Sequence, residues 1–104
     1  MDIHQDDNLL PNPHPGILIR EDFLQDMGIT PYRLAKDTGL TQTHVAELLK
    51  GKRSLTAKTA LLFGKFFGTS PQYFLNMQTR YEMIEAQRSI GDRLKRVKAY
   101  EAAS

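Results

Sequence analysis

Residues 31–53 read PYRLAKDTGLTQTHVAELLKGKR, and this stretch decides the fold. Thr30-Pro31 opens a helix, with Thr as N-cap and Pro at the first helical position, where its missing N–H has no intrahelical partner to lose. The helix runs to about Thr38 and stops at Gly39. Thr41 then caps a second helix that runs through Lys50 and is ended by Gly51. The connection, Gly39-Leu40-Thr41, is about three residues long. Two helices joined this tightly need a small residue where they approach, and Ala35 supplies it. The turn needs a residue tolerant of positive φ, which is Gly39. Leu34, Leu40, Val45 and Leu48 are the apolar side chains that lock the pair together. The steps from Ala35 to Gly39 and from Gly39 to Val45 match the spacing of a helix-turn-helix.

Once those apolar positions face inward, the second helix keeps a mostly polar outer side: Gln42, Thr43, His44, Ala46, Glu47 and Lys50, with Lys52 and Arg53 following. Such a side has the chemistry of a major-groove reader. Gln pairs bidentately with adenine, Thr bonds a base edge or touches a thymine methyl, and Glu accepts from a cytosine amino group. Arg33, Lys50, Lys52 and Arg53 are candidates for phosphate contacts that set register. Plainer readings stand beside these. Gln42 and Thr43 are also ordinary exposed first-turn residues, and Glu47 is placed to pair with Lys50 or Lys52.

Outward from this core the same punctuation recurs. His14-Pro15-Gly16 opens a helix whose stripe is Leu18, Ile19, Phe23, Leu24 and Met27, closed by Gly28. Thr56 caps a fourth helix, Ala57 to Phe67, with Ala60, Leu61, Phe63, Gly64 and Phe67 as core candidates and Gly68 as its stop. Ser70-Pro71 starts a fifth, carrying Tyr73, Phe74, Met77 and Tyr81 and extending past Ile84, with a break or end expected at Gly91. No segment alternates with period two, so the expected class is all-α with five helices. The expected organisation is an irregular arm at 1–14, a helical domain at 15–82 and a helical extension or tail at 83–104.

Composition narrows the chemistry. The net charge of +2 hides an asymmetry, with one basic against six acidic residues in 1–27 and thirteen basic against six acidic in 28–104. A basic body suits an anionic partner such as nucleic acid. There is no cysteine, which removes disulfides and thiolate metal sites. No apolar run approaches the roughly 20 residues of a membrane span. Met1 to Leu10 carries three Asp and no Lys or Arg, unlike a signal peptide. His4, His14 and His44 are the only histidines, none spaced as a helical metal pair, and no phosphate loop or nucleophile–base arrangement is readable. The expectation is therefore no catalysis, no metal and no cofactor, with His14 as a capping or loop residue.

The combination of NPHPGILIREDFL at 12–24 with YRLA, KGKR, TAKTALL and GTSPQYFLNMQ resembles the small HigA/VapI-type antitoxins of the XRE, phage-repressor-like helix-turn-helix superfamily, over about residues 12–82. The resemblance implies a lambda-repressor-like five-helix DNA-binding domain in a cytoplasmic bacterial protein. It implies an antitoxin that neutralises a RelE-like mRNA interferase, as in HigBA-like toxin–antitoxin systems, and represses the shared promoter as a homodimer. Carried residue by residue, the recognition positions are Thr41, Gln42, Thr43, His44 and Glu47. The chain departs from the family at Ile17, where Glu is common, at Phe74, where Trp is frequent, and at Leu62 and Phe66, where Arg and Ala are common. The fifth helix, through Tyr73, Met77, Tyr81 and Ile84, is the candidate dimer seam. The acidic arm is a candidate toxin contact, and Arg93, Lys95, Arg96 and Lys98 form either a solvated helix end or an extra DNA contact. Two alternatives stay open: a stand-alone XRE-family transcriptional regulator, and an interaction module that has lost DNA binding.

Overall fold

The computed structural model describes residues 10–102. Among them are five helices and no strand. The first, α1, spans Pro15–Ile19 and continues without a break as a π-helical segment, Arg20–Gln25. It is followed by α2 (Pro31–Thr38), α3 (Gln42–Leu49), α4 (Ala57–Phe67) and α5 (Pro71–Arg96).

The helix starts follow from local chemistry. The first backbone N–H groups of a helix lack intrahelical acceptors, and a side-chain oxygen or nitrogen just ahead supplies one. Arg33 N–H donates to Thr30 Oγ1 at 3.1 Å and His44 N–H to Thr41 Oγ1 at 3.0 Å. Thr59 N–H donates to Thr56 Oγ1 at 3.4 Å and Gln72 N–H to Ser70 Oγ at 3.2 Å. His14 caps α1, its Nδ1 accepting the Gly16 N–H at 2.9 Å. The capping role read for His14 is thus observed.

The core joins all five helices. Ile19, Leu34, Val45, Leu48, Ala60, Phe63 and Phe74 are fully buried. Phe63, Phe67, Phe74 and Phe23 form a ring cluster with edge-to-face and tilted pairs at centroid separations of 5.0 to 5.9 Å. Such pairs add to the roughly 1.5–3 kcal/mol that burying each large apolar side chain contributes. Phe74 fills the position where the resemblance leads one to expect Trp, and Ile17, Leu62 and Phe66 are half-buried.

Two core assignments from the sequence fail. Met27 is 55% exposed, although it continues the period-3.6 stripe. The π-helical turn is the cause. Each wide turn adds a residue, so the face rotates before Met27, and beyond it Gly28 at φ 67° ends the helix with Ile29 N–H bonding the Leu24 carbonyl across the cap. Leu61 is 63% exposed because Ala60, Phe63, Gly64 and Phe67 define the inward face and Leu61 lies about a quarter-turn or more off it.

The break expected at Gly91 falls one residue earlier, as a kink. Ile90 has φ −117° and ψ 15°, and the helix resumes to Arg96. The chain ahead of α1 lies along α5. Asn12 Nδ2 donates to the Tyr81 carbonyl and to Glu85 Oε2, both at 3.1 Å, and Arg88 donates to the Leu10 carbonyl. Residues 1–9, with the acidic Asp2, Asp6 and Asp7 and with His4, lie outside the described residues, as do residues 103 and 104.

Candidate nucleic-acid interface

Gly39 takes φ 80°, the left-handed conformation that lets α2 end and α3 begin three residues later. Thr38 Oγ1 donates to the Leu34 carbonyl at 2.6 Å, closing the last turn of α2. Ala35 is buried where the two helices meet, as its small side chain suggests, and Leu40 is half-buried in the turn.

α3 is seated from behind. Gly16 approaches it so closely that a Cβ there lies 1.7 Å from the Leu48 carbonyl oxygen. The α1 N-terminus therefore rests directly on the backbone near the end of α3. With Val45, Leu48 and Leu49 buried, the opposite side of α3 faces outward.

Of the nine residues proposed from sequence, Thr41, Gln42, Thr43, Lys50, Lys52, Arg53 and Arg33 are exposed, and Glu47 and His44 are half-buried. Gln42, Thr43 and Lys50 stand clear of the body. Lys50 and Lys52 make no ion pair among the described residues. Thr41 already accepts at Oγ1 in capping α3, which leaves its hydroxyl proton free to donate.

Three of the polar residues are engaged within the chain. Arg33 Nε donates to Asp37 Oδ2 at 2.6 Å, one turn on along α2. Glu47 Oε1 accepts from both Nε (3.1 Å) and Nη2 (2.7 Å) of Arg53. The partner of Glu47 is thus neither Lys50 nor Lys52. The Arg53 hydrogen bonds, and then its charge, hold the Glu47 carboxyl below the usual range and keep it ionised. His44 departs most from its expected place on the outer helix face. Its Nε2 is shielded and meets no partner among the described residues. Desolvation, then the Arg53 charge, lowers its pKa, so near neutral pH it is not a cation for phosphate.

Two further side chains shape this surface. Gln78 is buried in α5, its Oε1 accepting the Leu55 N–H at 2.9 Å and its Nε2 donating to Glu82 at 2.8 Å. It anchors the α3–α4 loop that carries Lys52 and Arg53. A polar residue one turn after Phe74 on the inward face is the sequence signal for it. Tyr32, 58% exposed, stands beside Gln42 and Thr43. Its position near the start of α2, well ahead of α3 in the sequence, gives little hint of this.

The candidate dimer seam is partly covered by the chain itself. Tyr73 is exposed but sits edge-on to Phe74, while Met77, Tyr81 and Ile84 are half-buried. Tyr81 packs edge-on to His14 at 5.0 Å. No group of His, Asp and Glu among the described residues is arranged to hold a metal ion, and no helix there is long and apolar enough to cross a membrane.

Residues 20–74 match the helix-turn-helix family model. The chain is 37% identical to virulence-associated protein I of Dichelobacter nodosus over 84% of this chain and 81% of that protein. Its backbone is similar to an addiction module antidote protein of a HigA family from Coxiella burnetii, with TM-score 0.81, 35% identity, and coverage of 88% of this chain and 100% of that one. It is equally similar to the Pseudomonas aeruginosa antitoxin HigA, solved with the higBA promoter, with TM-score 0.82, 26% identity, and coverage of 88% and 100%.

Proposed function

The chain belongs to the helix-turn-helix family, and from that premise we propose that it is the antitoxin of a HigBA-like toxin–antitoxin pair and represses its own promoter by binding operator DNA. The observation that carries the reading is the outward side of α3. Gln42, Thr43 and Lys50 are exposed together on a helix whose other side is locked into the core. The similarity to an antitoxin solved with promoter DNA, over nearly the whole chain, supports the same use.

In this reading α3 lies in the major groove. Gln42 and Thr43 read base edges, and Thr41 contacts DNA from the helix start. Lys50, Lys52, Arg53 and Arg33 meet phosphates, which fixes register and makes binding fall with salt. Glu47 and His44 border the same surface. The DNA-binding unit spans residues 15–82, with 83–104 as its helical extension.

The protein acts as a homodimer through α5, with Tyr73, Met77, Tyr81 and Ile84 at the seam. Two copies of α3 about 34 Å apart then read a palindrome. The second partner is a RelE-like toxin, and the setting is the cytoplasm of a bacterium. The helix-turn-helix supplies binding, not catalysis.

The test is a gel shift with the DNA upstream of its own coding sequence, run across a salt series. A shift at about 50 mM salt that weakens steeply toward 200 mM is expected. No shift at the lower salt overturns the DNA reading. Gln42→Ala should alter base preference by about 1–3 kcal/mol at one position. Lys52→Ala should weaken all sequences alike and reduce the salt slope by about one. Co-expression with the product of the adjacent gene tests the toxin half. Growth arrest by that product alone, relieved by this chain, is the expected result. If DNA is bound and no toxin exists, the protein is a stand-alone regulator.

A further inference from the structure

A shallow cleft of about 320 Å³ opens between the first turns of α2 and α3, lined by Pro31, Tyr32, Gln42, Thr43 and Ala46. We propose that this cleft receives the 5-methyl group of a thymine in the operator, with Tyr32 as a specificity-determining residue. The inference rests on the DNA-binding reading above and names what one part of that surface recognises.

The chemistry of the walls points to a methyl. The Pro31 ring, the Tyr32 ring and the methyl groups of Ala46 and Thr43 are apolar. Gln42 brings an amide and Thr43 a hydroxyl to the same lining, so apolar and polar surface are both present. Among the natural base pairs, thymine alone presents a methyl in the major groove, and small apolar side chains are its usual contacts. The same helix turn places Gln42 to pair with adenine, so cleft and amide together suit a step rich in A·T pairs.

Tyr32 has no evident role in the fold. It is 58% exposed, and among the described residues it makes no ring pair and no side-chain hydrogen bond. The core closes without it, since Leu34 and Ala35 supply the buried side of α2. A tyrosine has few rotatable bonds, so it gives a large contact surface at low entropic cost. Its ring is therefore suited to closing one side of the cleft against a methyl group on binding.

The experiment removes single methyl groups from DNA. A duplex is first selected from a random pool by the wild-type chain. Its thymines are then replaced one at a time by deoxyuridine, and affinity is measured for wild type, Tyr32→Phe and Tyr32→Ala. Wild type and Tyr32→Phe should lose about fourfold at one thymine per half-site, the loss expected for one buried methyl. Tyr32→Ala should not discriminate there. Retained helicity of Tyr32→Ala by circular dichroism shows that the variant folds.

Wild type indifferent to deoxyuridine at every thymine overturns the proposal. So does a loss that Tyr32→Ala leaves intact, which places the methyl elsewhere. A uniform loss in Tyr32→Phe with discrimination unchanged in Tyr32→Ala makes Tyr32 a phosphate contact and also overturns it. Failure of wild type to select any duplex at low salt removes the DNA-binding reading itself, and this assignment falls with it.

Discussion

The α2–α3 pair and the last third of α5 are both helical, yet they are held in opposite ways. The pair is capped at each start, turned by Gly39, backed by Gly16 and filled by Leu34, Val45 and Leu48. Beyond Tyr81, α5 keeps Met83, Ile90 and Leu94 exposed and kinks at Ile90. Arg93, Lys95 and Arg96 sit in its last turn, where cations suit the carbonyl end of the helix dipole. The contrast teaches that burial, rather than helical pattern, separates a firmly held helix pair from a helix end left exposed. A helix read from periodicity alone looks the same in either place.

The comparison is broken most directly by truncating one apolar residue from each region. Phe63→Ala should cost about 3–5 kcal/mol, because a fully buried ring leaves a cavity. Leu94→Ala, at 52% exposure, should cost less than about 0.5 kcal/mol in dilute protein. Urea unfolding of both variants checks this. A large Leu94 effect that grows with protein concentration would show that a second copy covers the end of α5.

Gly16→Ala comes next. The added Cβ meets the Leu48 carbonyl, a backbone atom that cannot rotate away. A loss of about 1–3 kcal/mol is expected, with α3 displaced. Thermal melts read the stability, and DNA affinity should fall more than a stability change alone explains. Gly91→Ala lies in the weakly held region and should instead be neutral or slightly stabilising by up to about 1 kcal/mol, since alanine is the better helix former.

Thr41→Ala removes the α3 cap and should cost about 1 kcal/mol. Its effect is sharpened by Ser70→Ala, which removes the corresponding cap from α5. If α3 is the more tightly supported helix, hydrogen exchange after Thr41→Ala should speed up only in its first turn.

The smallest effect is a pH dependence at His14. Burial lowers its pKa, only partly offset by Glu82, so the folded chain prefers the neutral ring that accepts the Gly16 N–H at Nδ1. The unfolded state then binds more protons. This contribution to stability is fully present above the ordinary histidine pKa of about 6.5 and is lost as the pH falls below it. His14→Asn, which keeps an acceptor at the cap without titrating, should flatten the acid side of a melting-temperature profile. An unchanged profile would remove His14 from the account.

Much of this could be read along the chain. Thr30, Thr41, Thr56 and Ser70 all cap as their positions suggest, and Ala35, Gly39 and Val45 mark the helix-turn-helix by spacing alone. Both failures lie beyond what spacing along the chain marks. Met27 was displaced by a π-helical turn whose onset has no sequence mark here, and Leu61 sits at the edge of a face that only the packing of α4 on α5 defines. The pairing of Glu47 with Arg53, rather than with nearer lysines, depends on how the loop after α3 folds back.

What the amino-acid sequence determined by itself is the set of helices, their starts and stops, and which segment is built to present a polar side, because caps, glycines and periodicity act over a few residues. Only the tertiary structure decided which of those polar groups stay free. Gln42, Thr43 and Lys50 remain available, Glu47 and Arg53 bind one another, and His44 is drawn partly inward. That choice depends on contacts between residues brought together by folding, and charge and spacing along the chain do not encode their distances.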